Sequence, residues 1–405
     1  MEAKMQVPFL KPDITEAEVE AVCDTLRSGW ITTGPKTKRF EKELAQYCGV
    51  SEFSCLNSAT AALECALRLL DIGPGDEVIT SAYTYTSSCS VIVHVGATPV
   101  LVDVAEDSLE MDYSKLEQAI TSRTKAIIAV DVAGIMCDYD RIFSIVEDCA
   151  DRFVPHNELQ ESIGRVAVIA DAAHSLGATY HGRPSGSVAD FTAFSFHAVK
   201  NLTTGEGGGL TWRGTEAFDG AEMYRQVQLM ALHGQNKSAL AKTQLGSWEY
   251  DIEEPAYKWN MTDICASIGL AQLQRYPEML AHRNAMIRRY IEALSGDKVD
   301  VIMHYTDMGS SSGHLAITRI AGFDEQKRSD FIVKMAERGV ACNVHYKPLP
   351  MMTAYRKLGF AIEDYPKAFD FYQNEVTLPL YTVMTDEQQE YTIESFLAAL
   401  DELGA

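Results

Sequence analysis

The amino-acid sequence predicts an α/β protein, with a large domain built on a mainly parallel sheet and a smaller α+β domain after it. Three observations support this reading. Short β-rich runs alternate with helix-like stretches between Ser54 and Trp212. A long helical stretch begins at Thr262, and from Val299 onward strands and helices return in a shorter series. At 405 residues the chain is also too long for one small core.

The elements follow in order. Thr15-Glu16-Ala17-Glu18 has capping-box spacing ahead of an amphipathic run that ends near Ser28-Gly29. A second helix is expected from Lys36 to Tyr47, stopped by Gly49. The β-rich runs are Glu77 to Thr80, Pro99 to Val104, Lys125 to Val130, Val166 to Ala170, Phe191 to Phe196 and Gly209 to Trp212. Their alternation with helices predicts a parallel sheet covered on both faces, with ligands at the carboxyl ends of its strands. Thr262 to Arg275 is helical and continues to about Leu294. Beyond it come strands Val299 to Met303 and His314 to Ile320, helix Phe323 to Arg338, strand Ala341 to Tyr346 and helix Asp386 to Leu403. We expect a large domain over residues 1–275 and a linking helix plus small domain over 276–405.

Composition narrows the function. The charge sum, 35 − 57 = −22, repels phosphate backbones and anionic membranes, so neither nucleic acid nor a membrane is an expected partner. A locally basic pocket for a small anion remains compatible with it. No apolar run approaches the roughly 20 residues a bilayer requires, and the N-terminus lacks an apolar signal core. The nine cysteines are scattered, never spaced Cys-x-x-Cys, and read as reduced thiols, which places the protein in the cytoplasm. No metal site is expected.

Four segments carry candidate chemistry, each with a plainer alternative. The strand from Phe191 delivers Ser195, His197 and Lys200 at its end. A lysine desolvated there loses its proton readily, and a neutral amine attacks an aldehyde, as enzymes using pyridoxal phosphate (PLP) require; the alternative is an exposed loop lysine. The glycines that follow, up to Gly209, lack Walker spacing and read as a tight turn. Asp171 ends the run Val166-Ala-Val-Ile-Ala. It is a partner for a protonated pyridine nitrogen, or else a helix cap or a magnesium ligand. His174, three residues on, reads either as functional or as a core hydrogen-bonding group. Ser58, Ala59 and Thr60 open a strong helix, where hydroxyls and free N–H groups suit either a phosphate or simple capping. Tyr85, after the strand ending at Thr80, reads as a ring-stacking aromatic or a core tyrosine.

Taken with their surroundings, these segments resemble the sugar aminotransferases of PLP fold type I, the DegT/StrS family. The resemblance runs through Trp30-Ile-Thr-Thr-Gly34-Pro35, Asn57-Ser-Ala-Thr-Ala-Ala-Leu63, Gly73-Pro-Gly-Asp-Glu-Val-Ile79, Asp171-Ala-Ala-His174, Ser195-Phe-His-Ala-Val-Lys200-Asn-Leu-Thr-Thr-Gly-Glu-Gly-Gly208, Tyr257-Lys-Trp-Asn260-Met-Thr-Asp263 and Val344-His345-Tyr346. Within the family the chain is similar to the UDP-4-amino-4-deoxy-L-arabinose aminotransferase group, which aminates carbon 4 of a nucleotide-linked sugar.

The resemblance implies a seven-stranded sheet, PLP as cofactor, a nucleotide-linked keto-sugar as acceptor and glutamate as donor. Lys200 would bind the cofactor covalently and shuttle the proton, and Asp171 would pair with the ring nitrogen. Ser58, Ala59, Thr60 and Ser195 would hold the phosphate, Tyr85 would stack on the ring, and His174 would sit near its 3-hydroxyl. Asn260 would reach the phosphate in a neighbouring subunit, implying a homodimer with shared active sites. Amination of a cyclitol or another cyclic ketone is an alternative. A sugar dehydratase of the same fold is a further one, opposed by Lys200, which those relatives replace with histidine. The chain departs from the family at Asp131-Val132, where relatives carry a histidine, in the longer polar stretch Asp151 to Gly164, and at Gln235 to Tyr250, a type of loop that sets substrate preference.

Overall fold

The computed structural model describes residues 5–214, 220–237 and 249–404. Its main sheet has seven strands: β1 (Phe53–Leu56), β2 (Glu77–Ser81), β3 (Thr98–Val102), β4 (Thr124–Val130), β5 (Ala167–Asp171), β6 (Phe191–Ser195) and β7 (Gly208–Trp212). They lie in the order β1-β7-β6-β5-β4-β2-β3. Every pairing is parallel except those of β7 with β1 and β6. β2, β5 and β7 are buried along their whole length, as expected of strands covered on both faces.

Six of the seven strands match the expected runs within two residues at each end. β1 was not expected as a strand. Its four buried residues, Phe-Ser-Cys-Leu, are too short to show periodicity, and pairing with β7 fixes them. It matters for function, because β1 leads directly into the helix Ala59–Leu69.

The N-terminal helices form where expected. Thr15 caps Glu16–Ser28 in a complete capping box with Glu18, and Gly29 ends it at φ 75°. The second helix, Pro35–Cys48, has no side-chain cap of its own. Its free N–H groups are met instead by the buried carboxylate of Asp263, which accepts from Gly34 N at 2.8 Å, Thr37 N at 2.9 Å and Lys36 N at 3.0 Å. Asp263 is the first residue of a 32-residue helix, Asp263–Leu294, which runs through the expected boundary at 275/276.

After that helix a three-stranded antiparallel sheet forms from β8 (Val299–Val301), β9 (Ala316–Ile320) and β10 (Glu375–Leu378), flanked by helices Glu325–Glu337 and Asp386–Glu402. Here one expectation fails. Ala341 to Tyr346 is no strand: only Asn343 pairs, bonding both ways with Thr377 of β10. Pro348 and Pro350 follow closely and cannot donate to a ladder. The strand is Glu375–Leu378 instead, so Ala341 to Tyr346 is freed to line the cleft. Among the described residues no helix is long and apolar enough to cross a membrane. All nine cysteines carry free thiols.

Candidate active site

The carboxyl ends of the central strands face a cavity of about 430 Å³. Ser58, Ala59, Thr60, Tyr85, His174, Ser195 and Lys200 all line it. Asp171 lines a smaller adjoining cavity, which shares Tyr85, His174 and Lys200 with the first. Of the nine residues singled out in the sequence, only Asn260 lines neither. Its amide donates to Thr33 Oγ1 at 2.6 Å and its Oδ1 accepts from Lys258.

Lys200 lies five residues beyond β6, in a turn closed by its own N–H bonding to His197 O at 2.9 Å. It is half-buried and turned to the cavity, which disposes of the exposed-loop alternative. Burial pushes its ammonium down to about 8, against an opposing pull from the Asp171 carboxylate. At pH 7 about a tenth of such an amine is neutral and nucleophilic.

Asp171 sits at the carboxyl end of β5, buried, with no helix beginning there, so it is not a helix cap. Ser88 Oγ donates to Oδ2 at 2.7 Å, and the Ala173 N–H reaches Oδ1 at 3.2 Å. Burial raises the carboxyl; the Ser88 bond, the Ala173 N–H and the Lys200 charge each favour the ionised form.

Tyr85 is 60% exposed, so it is not the core tyrosine; Tyr83, two residues earlier, is. Its ring centroid lies 6.0 Å from that of Tyr346. His174 Nδ1 accepts the Ala133 N–H at 3.2 Å, which leaves the proton of a neutral ring on Nε2, 3.1 Å from the Tyr346 hydroxyl. Burial and the Lys200 charge hold this histidine well below the usual imidazole range. It is thus both a hydrogen-bonded core group and a cavity residue.

At the other end of the cavity Ser58 caps the helix Ala59–Leu69, its Oγ accepting from Ala61 N at 3.1 Å. Capping and anion binding are compatible here. The earliest helical N–H groups have no partner within the helix, and the Ser58, Thr60 and Ser195 side chains stand beside them. The glycine cluster makes the expected turn, with Gly205 at φ 79°. It also lets β7 approach the helix: a Cβ on Gly208 would lie 2.3 Å from the Ser58 carbonyl carbon and 2.5 Å from Ala59 N.

Other cavity residues were missed. His314 was read only as the start of a strand, and His345 and Tyr346 were given no role; all three line the cavity. Ser88 was visible only as one more hydroxyl after Tyr85. Asp131, noted as a departure, accepts from Ser175 Oγ at 2.7 Å, Tyr139 Oη at 2.9 Å and Cys137 N at 3.1 Å. Burial pushes it up to about 7, and it lines the smaller cavity beside Asp171. Most of the segment 235–250 lies outside the described residues.

This donor set suits a flat aromatic aldehyde bearing a phosphate and a basic ring nitrogen. The helix end and hydroxyls match the phosphate, Tyr85 a ring face, Asp171 a protonated nitrogen and Lys200 the aldehyde. A mainly parallel seven-stranded sheet with such a site defines a PLP-type transferase of fold type I. Comparison with known proteins agrees. The model of the DegT/DnrJ/EryC1/StrS aminotransferase family matches residues 12–397, and the chain belongs to that family. It is 38% identical over 396 residues to the spore coat polysaccharide biosynthesis protein SpsC of Bacillus subtilis, covering 96% of both chains. It is 36% identical over 359 residues to the UDP-4-amino-4-deoxy-L-arabinose–oxoglutarate aminotransferase of Shewanella sediminis, covering 87% of this chain and 86% of that one. The solved structure of the putative sugar aminotransferase Spr1654 from Streptococcus pneumoniae, in its PMP form, superposes with a TM-score of 0.96 at 56% identity, covering 98% of this chain and all of that one. Its PLP form gives 0.95 at 54%. The chain is therefore an aminotransferase, and its cofactor is PLP.

Proposed function

We propose that this aminotransferase moves an amino group from L-glutamate to a keto-sugar carried on a nucleotide, with carbon 4 as the site of amination. The observation that carries the reading is the convergence of Lys200, Asp171 and the helix starting at Ala59 on two adjoining cavities. The sugar and nucleotide follow from likeness to the Shewanella enzyme, whose name pairs a UDP-linked amino sugar with oxoglutarate, and a role in polysaccharide biosynthesis from likeness to SpsC. A nucleotide-linked substrate suits a cytoplasmic enzyme.

When bound, PLP supplies an electron sink that stabilises negative charge on the carbon losing its proton. The chain's own groups do the rest. Ser58, Thr60, Ser195 and the helix N–H groups hold the phosphate. Asp171, whose burial is opposed by the Ser88 bond and the Lys200 charge, would hold a proton on the ring nitrogen. Tyr85 covers one face, and His174 fixes the ring edge by donating through Nε2. Lys200 would hold the cofactor at its aldehyde carbon with loss of water and, once displaced by the amine of the donor, would as an amine of lowered basicity move the proton between carbons. On this reading residues 1–275 form the cofactor-binding domain and 276–405 the domain that closes the cavity. Asn260 reaches the phosphate of a second copy in a homodimer.

The substrate reading is tested by supplying PLP-loaded enzyme and L-glutamate with UDP- and dTDP-linked 4-keto-sugars beside a keto-inositol. Oxoglutarate released with a nucleotide-linked sugar is expected. Release only with the keto-inositol would overturn it.

A further inference from the structure

Behind the cavity, on β10, lie two buried residues that do not line it: Glu375 and Thr377. They are wired to a third residue that does line it. His345 Nδ1 lies 2.9 Å from Thr377 Oγ1, Thr377 Oγ1 bonds Glu375 Oε1, and the His345 backbone N–H donates to Glu375 Oε2 at 3.0 Å. Among the described residues no protein group bonds His345 Nε2, and the ring is stacked 5.6 Å from Phe9, which holds its plane.

The Thr377 hydroxyl has one proton and two partners, so the direction of the chain is set from its far end. While Glu375 is a carboxylate it only accepts; Thr377 must donate to it, and His345 must donate through Nδ1, leaving a bare Nε2. Once Oε1 carries a proton, the acid donates to Thr377, the threonine proton turns to Nδ1, and the ring proton must stand on Nε2. Oε2 keeps the backbone N–H in both states, so the added proton belongs on Oε1.

We infer that Glu375 and Thr377 are positioning residues for the transfer reaction, setting whether His345 offers the substrate a hydrogen-bond acceptor or a donor at Nε2. The inference rests on the reading of this cavity as the keto-sugar site. A bare Nε2 accepts from a sugar hydroxyl, whereas a protonated one donates to a carbonyl or ring oxygen, so acceptor recognition depends on the relay.

The surrounding groups favour a change of state near neutral pH. Burial pushes Glu375 up to about 8, with Thr377, the His345 N–H and the Arg328 charge pulling the other way. Tyr83, Tyr346 and Cys342 also face it, and burial raises each of them, so they stay neutral. His345 itself is held down to about 4 by burial and by Lys200, so the ring stays uncharged and only the position of its proton changes. His174 and His314 face it and are neutral for the same reason. Lys200 titrates in the same window but makes no hydrogen bond to His345 among the described residues, so it does not dictate which nitrogen is protonated.

The test is nitrogen NMR of PLP-loaded enzyme labelled with ¹⁵N-histidine, with His345 assigned by its loss in His345→Gln. In wild type its signals should pass from the Nε2–H to the Nδ1–H pattern between about pH 6.5 and about pH 9.5. In Glu375→Gln the backbone N–H claims the amide oxygen, the amide NH₂ donates to Thr377, and the Nε2–H pattern should persist throughout. Thr377→Val should abolish the switch and Thr377→Ser restore it. In wild type the pH dependence of KM for the keto-sugar should contain a component over the same range that Glu375→Gln lacks, whatever Lys200 and Asp131 contribute to both. A single tautomer at every pH in wild type, or the same switch in Glu375→Gln, overturns the relay. Because the visible absorption of Lys200-bound cofactor is read in the same samples, failure of the relay is separable from failure of the functional reading.

Discussion

Asp171 and Lys200 are ionisable groups placed where water is scarce, and each helps to set the charge of the other. Replacing Asp171 with Asn keeps the volume and one acceptor oxygen for Ser88, but removes the negative charge. Two consequences are expected. The Lys200 amine loses the one pull that opposes burial and titrates below about 8, and the ring nitrogen loses its counter-ion. A single-turnover assay of amino transfer from L-glutamate should slow on the order of 10³-fold, with the cofactor still covalently held. Unchanged single-turnover rates would remove Asp171 from the machinery. These two residues were legible in the sequence because Asp171 ends an apolar strand and Lys200 follows another within five residues, where an ionisable side chain is conspicuous. The Glu375–Thr377–His345 chain was not: its members look like ordinary strand and loop residues, and 30 positions separate His345 from Glu375 before folding joins them.

At the scale of elements, local signals sufficed where the cause was local. Thr15 and Glu18, Gly29 and Gly49 mark helix ends through neighbouring backbone groups, and those ends were readable. The second helix is different, since Asp263, some 226 residues from Thr37, supplies its cap. Asp263→Ala should leave four donors of residues Gly34 to Thr37 without their acceptor and cost about 1–3 kcal/mol of stability. Urea denaturation checks this; a midpoint equal to wild type would show that the helix end finds water instead. β1 and the stretch Ala341 to Tyr346 were misread for a related reason. A four-residue strand and a six-residue extended loop carry the same weak pattern, and only the partner strand separates them.

At the scale of the whole molecule, the acidic surface and the site's chemistry are separate matters. A net charge of −22 is compatible with the proposed phosphate site, because the groups available there are backbone N–H groups and hydroxyls rather than a basic surface. Segments from both ends of the chain meet there: Phe9 near the start, the strand ends of the large sheet, and His345 to Leu380 near the finish. The account as a whole depends on Lys200 being the residue that carries the cofactor in this assembled cleft. Borohydride reduction of the PLP-loaded protein, followed by mass spectrometry of the intact chain and its peptides, measures that directly. One added cofactor per chain, confined to the peptide containing Lys200 and absent in Lys200→Ala, is the expected result. Label on another lysine, or undiminished label in Lys200→Ala, would contradict it.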